Sequence, residues 1–93
     1  MAEIDVQGTG AEPSGWRFRV TVREGGSSTQ HDVTLSAADH DRLGEGRRSP
    51  EELIRASFDF LLGREPKESI LPAFDLSVIG SYFPGFDEII RGR

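Results

Sequence analysis

The sequence predicts an α+β fold, with an antiparallel two- or three-stranded sheet packed against a central helix and short C-terminal helices. Three observations carry that expectation. Trp16, Phe18, Val20 and Val22 alternate with Arg17, Arg19, Thr21 and Arg23, the period of two that gives a strand one apolar and one polar face. Ser49-Pro50-Glu51-Glu52 precedes an apolar-rich stretch to Leu62; it supplies a serine cap, a proline at the first helical position and a glutamate three residues after the cap. Beyond Glu65-Pro66 the apolar residues continue to Ile90, but Pro72, Gly80, Pro84 and Gly85 divide them, which excludes one long helix.

Taken in order, Ile4 and Val6 alternate with polar neighbours, so residues 3–7 are expected to form a short strand. Residues 8–15 hold three glycines and a proline and read as a loop. Residues 16–23 are the clearest strand. Glu24-Gly25-Gly26-Ser27-Ser28 is a turn, and residues 30–35 return with Val33 and Leu35 on the buried side, making a hairpin. Two strands alone are marginal, so a helix must cover the apolar face, with Trp16 packed on it. Ser36-Ala37-Ala38-Asp39 resembles a capping box and predicts a short helix to Leu43, stopped at Gly44. The helix that starts at Ser49 should run to Leu62 and end near Gly63. At 100° per residue its apolar side chains, Phe58 and Phe60 among them, cover a broad arc, and Glu52, Arg55 and Asp59 fill a narrow one. Such a helix belongs at the centre of the fold. In the tail, helical turns are expected after Pro66, at Asp75 and after Pro84; residues 75–79 have a strand as their alternative.

Ninety-three residues suit a single domain, residues 1–93, divided into a hairpin region 1–35 and a helical region 36–93. Leu, Ile, Val and Phe number 24, about a quarter of the chain and above the roughly 20% below which chains tend to be disordered. The absence of cysteine excludes a disulfide scaffold and a thiolate metal site. No apolar run approaches the roughly 18 residues of a membrane span, and the acidic start Met1-Ala2-Glu3-Ile4-Asp5 is unlike a basic signal peptide. A soluble cytoplasmic protein without a membrane partner is the expectation.

The net charge of −5 argues against general nucleic-acid affinity. The alternative keeps a nucleic-acid contact through Arg17, Arg19 and Arg23 on the outer face of the hairpin, although no interleaved aromatics offer a base-stacking platform. Gly44-Glu45-Gly46-Arg47-Arg48-Ser49 leads into a helix N-terminus, so Arg47 and Arg48 are a second candidate anion contact. Against it, Glu51 and Glu52 already answer the helix dipole. His31-Asp32 and His40-Asp41 resemble the pairs that metal hydrolases join around a metal; in so short a chain both histidines read as solvated polar residues. No nucleophile elbow, Walker loop or dinucleotide fingerprint occurs. The expectation is therefore no enzyme, no cofactor, no metal site and no catalytic residue.

Ser49-Pro50-Glu51-Glu52-Leu53, Phe60-Leu61-Leu62-Gly63-Arg64-Glu65-Pro66-Lys67-Glu68-Ser69-Ile70-Leu71, Phe74-Asp75-Leu76-Ser77-Val78-Ile79 and Tyr82-Phe83-Pro84 resemble a family of small uncharacterised bacterial proteins. The likeness covers a little under half the chain. It implies no assigned activity, so it carries over no site residue. The chain departs from the family pattern at Gly63, Pro72, Gly80 and Gly85, which implies irregular tail helices.

Residues 49–93 hold 16 of the 24 Leu, Ile, Val and Phe residues. A small sheet has limited capacity to cover them, so an apolar surface is expected to remain for a homodimer or another protein, anchored by Tyr82, Phe83 and Phe86. The leading functional expectation is thus a non-enzymatic interaction or regulatory protein that binds protein through its helical half.

Overall fold

The computed structural model describes residues 2–92 and is an α+β fold of two layers. Strands β1 (Glu3–Glu12), β2 (Gly15–Glu24) and β3 (Ser27–Ser36) form an antiparallel meander. Helices α1 (Ala37–Gly44) and α2 (Pro50–Leu62) follow; then come a single 3₁₀ turn (Lys67–Ser69), strand β4 (Ala73–Asp75), and helices α3 (Val78–Tyr82) and α4 (Phe86–Arg91). The sheet order is β1-β2-β3-β4, with β4 parallel to β3.

This corrects the expected two- or three-stranded antiparallel sheet, because the fourth strand makes it mixed. A parallel neighbour needs a crossover of a dozen or more residues, and the chain between Ser36 and Ala73 provides it through α1 and α2. A strand of three residues leaves little alternation to read, since only Phe74 faces inward beside Val33. Neither expected form of residues 75–79 holds in full: the strand ends at Asp75 and the helix begins at Val78.

β1 also corrects an expectation. Its ladder with β2 continues through Gly8 and Gly10 to Glu12↔Gly15, with a bulge between the two glycines. Glycine weakens a strand without forbidding one, and the bulge absorbs the extra residue, so the loop shrinks to Pro13-Ser14. Gly15 itself has no substitute, because a Cβ there would lie 2.2 Å from the Leu35 carbonyl oxygen. The β2–β3 turn is the two-residue Gly25-Gly26, with φ of 64° and 82°, the left-handed pair that matches strand twist.

Both predicted helix starts are present. Ser36 Oγ accepts the Asp39 N–H at 3.1 Å, and Ser49 and Glu52 close a reciprocal capping box. α1 ends one residue later than expected: Gly44 lies inside it and Glu45 takes the left-handed position at φ 50°. α2 is central. Its buried residues include Leu53, Ile54, Phe58 and Phe60, while Glu52, Arg55 and Asp59 are exposed, as the arc predicts. Trp16 is half-buried against the core, and its ring stands T-shaped to His40 of α1 at 5.1 Å.

The tail folds back. Ile70, Leu76, Ile79, Phe86 and Ile90 are buried, and among the described residues Leu71 and Tyr82 are the large hydrophobics left exposed. Phe60 is the hub of this closure, with the Phe86 ring at 5.0 Å, the Phe83 ring at 5.7 Å and the Arg64 guanidinium carbon 3.7 Å above its own centroid. Polar ties hold α4 against α1: Arg42 bonds Asp39 and Asp87, and Glu45 receives Arg91 at 3.3 Å. Asp39 and then Asp87 hold the Arg42 guanidinium more firmly charged, and the Arg91 hydrogen bond keeps the Glu45 carboxyl below its usual range.

Candidate functional site

The tail residues left uncovered converge on one groove. α2 ends where the Gly63 N–H bonds back to Asp59 and Phe60, and the chain then reverses. Pro66 is extended and leads into the 3₁₀ turn. Ile70 then enters the core. Two bonds fix the next step: His31 Nδ1 donates to the Leu71 carbonyl at 2.7 Å, and the Asp32 N–H donates to the Pro72 carbonyl at 2.8 Å. The Leu76 N–H reaches the Thr34 carbonyl at 2.9 Å. Asp75 Oδ2 accepts both the N–H and the hydroxyl of Ser77 and starts the turn into α3. Burial raises the Asp75 pKa, but the bonds from Ser77 and Thr34 outweigh it and leave the carboxyl below its ordinary value.

Between α2, this connection and α3 lies a groove of about 320 Å³. Leu61, Ile70 and Ile79, all buried, form its floor. Phe74, Val78 and Phe83, all half-buried, line its sides. Leu71, 43% exposed, and Tyr82, 66% exposed, stand at its edge. Among the described residues Glu65 is its single charged lining residue, and Ser69 and Tyr82 add hydroxyls. Apolar walls with a few polar groups are the make-up of ligand and partner pockets in general; among the described residues the lining contains no histidine or cysteine.

Of the three expected anchors, Tyr82 and Phe83 line this groove. Phe86 does not: it is 1% exposed, edge-on to Phe60, and belongs to the core. That is a correction, and its reason is the hub at Phe60, which draws α4 inward.

The arginines lie elsewhere. Arg17, Arg19 and Arg23 occupy the outer sheet face, where Arg17 pairs with Glu12 at 2.6 Å, Arg19 with Asp32 at 3.3 Å and Arg23 with Glu3 at 3.7 Å. A second depression, lined by Thr9, Arg17, Arg19, Asp32 and Thr34 among others, opens on that face. Arg47 and Arg48 sit in the α1–α2 connection. Arg47 bonds Glu45 and the Arg91 carbonyl, and the Arg48 carbonyl accepts His40 Nε2 at 2.7 Å. The helix end they precede already holds a carboxylate, since the Ser49 backbone N–H lowers the Glu52 pKa.

The two His-Asp pairs do not meet. His31 is 2% exposed, which corrects its reading as a solvated residue. Its Nε2 accepts the Thr29 hydroxyl at 2.8 Å while Nδ1 holds Leu71, and its ring lies 5.5 Å from Phe58. Positions 31, 33 and 35 share one strand face, so the alternation that buries Val33 and Leu35 was the signal for His31 as well. His40 is tied to Arg48 and Trp16. Among the described residues no three His, Cys, Asp or Glu side chains gather as a metal set, and no helix is long and apolar enough to cross a membrane. Comparison with family models, curated proteins and solved structures finds no match for the chain.

Proposed function

We propose that this chain is a small non-enzymatic cytoplasmic interaction module that binds another protein by seating an apolar side chain in the groove between α2, β4 and α3. One observation carries the reading: the two large hydrophobics left exposed among the described residues, Leu71 and Tyr82, line the same groove. An exposed aliphatic and an exposed aromatic beside a concave apolar floor have the composition of an interface anchor site. Scattered exposed hydrophobics need no explanation; two on one groove do.

A partner of different sequence fits better than a second copy. A two-fold pairing through the groove brings both Glu65 carboxylates to one apolar interface, between chains of net charge −5 each. The nucleic-acid reading has less support, because the three sheet arginines each face a carboxylate.

Site-specific photo-crosslinking in the cells that make the protein tests this. A crosslinker at Tyr82 should give discrete protein adducts, and one at Thr21 on the outer sheet face should not. Adducts from Thr21 alone, or from neither position, would sink the proposal. Sedimentation at tens of micromolar should show a 10.3 kDa monomer.

A further inference from the structure

We infer that the groove selects a basic amphipathic segment, one that sets a leucine or aromatic side chain on the Ile70–Ile79 floor and a lysine or arginine against Glu65. The inference rests on the groove being the interaction site and adds the chemistry of its occupant. Among the described residues Glu65 is the only charged side chain that lines the groove. It is flanked in sequence by two cations, and both are engaged elsewhere. The Arg64 guanidinium lies over the Phe60 ring, 3.7 Å from its centroid, and NH1 bonds the Phe60 carbonyl at 3.4 Å. Lys67 is buried and its Nζ holds Glu68 Oε2 at 2.6 Å.

Among the described residues Glu65 is therefore in no ion pair, although it is half-buried beside an apolar surface. A carboxylate so placed favours a cation and discriminates against an anion, because a second negative charge would be brought to a partly desolvated edge. The net charge of −5 acts in the same direction at longer range. An apolar floor bordered by one unpaired carboxylate is the complement of a helix with apolar anchors and basic neighbours.

The experiment is an NMR titration of the intact chain with two designed helical peptides. They share one leucine pattern and carry lysine, or glutamate, at every other position. The lysine peptide should shift the amide signals of Leu71, Phe74 and Tyr82, and the glutamate peptide should not. Glu65→Gln should weaken the lysine peptide about three- to five-fold, the scale of one exposed charge pair. Asp41→Asn, which removes one charge outside the groove lining, should weaken it less than Glu65→Gln does. Glu65→Lys should transfer the preference to the glutamate peptide. If both peptides bind the groove alike, or if Glu65→Gln and Asp41→Asn weaken binding equally, the cation selectivity is wrong and the groove reading stands. If neither peptide perturbs the groove signals, the groove reading falls with it.

Discussion

The sheet and the tail bury their apolar residues by different means. Along β2 and β3 the face of each side chain follows from its position in the strand: Phe18, Val20 and Val22 go in, and Arg17, Arg19 and Arg23 go out. The backbone ladder supplies the order and the side chains fill it. The tail has no such ladder except the three residues of β4. Its helices are five and six residues long, too short to be stable alone. What orders them is contact with residues far away in sequence: Phe60 for Phe83 and Phe86, His31 for Leu71, Thr34 for Leu76. Long-range dependence leaves a region with edges, and the groove lies along one of them.

The largest test of that contrast is Phe60→Ala. It removes the ring on which the tail closes and should cost about 3–5 kcal/mol. Hydrogen exchange should also separate the regions, with amides of α3 and α4 accelerated more than those of β2. Equal acceleration would make sheet and tail one cooperative unit and dissolve the distinction.

His31→Leu cuts the side-chain bond from the sheet to Leu71 at the groove edge. It leaves the Leu71 carbonyl without its 2.7 Å donor, at an expected cost of about 1–3 kcal/mol. Thermal melting reads the loss. An unchanged melting temperature would show that the Asp32–Pro72 bond holds the connection by itself.

These two residues also mark what was legible in the sequence. Alternation and capping are local, so strands β2 and β3, the Ser36 and Ser49 caps and the polar arc of α2 could be read directly. The tail could be read only as an apolar excess. Nothing in Tyr82, Phe83 and Phe86 as a string says which ring meets Phe60 and which meets solvent; that choice is made by the packing of α4 on α1 and α2. Leu71 was missed for the same reason, since its exposure depends on β4 pairing with β3. The bulge at Gly8 and Gly10 hid the length of β1, because glycines signal a loop and a bulged strand alike.

Acid should act on the tail connection through Asp75. Its folded pKa is lowered, with the Ser77 and Thr34 bonds outweighing burial. Its contribution is therefore present above the unfolded value of about 3.9 and is lost as pH falls through the folded one. Asp75→Ala should cost about 1 kcal/mol at neutral pH, and urea titrations should show the difference from the parent shrinking as the pH falls below about 4. A difference constant with pH would assign the effect to packing. Glu45 and Glu52 are also lowered, by Arg91 and by the Ser49 N–H respectively, so the acid response of the parent is the sum of several carboxylates.

The smallest effects belong to the outer sheet face. Arg19→Gln removes an exposed pair with Asp32 at 3.3 Å and should change stability by no more than about 1 kcal/mol. The same pairing governs what this face can bind. Phosphate contact would require Arg17, Arg19 and Arg23 to leave Glu12, Asp32 and Glu3, on a face where Asp5 and Asp75 add further negative charge opposite Thr21 and Thr34. With net charge −5 the whole-chain field opposes the approach as well. Fluorescence anisotropy should therefore show no binding to duplex DNA at micromolar protein in about 150 mM salt. The triple variant Glu3→Gln, Glu12→Gln, Asp32→Asn releases the arginines while leaving the strands their ladder, and it should gain salt-sensitive affinity that the parent lacks. Parent binding under those conditions would show that the pairs yield to phosphate, and would make the sheet, not the tail, the interaction surface.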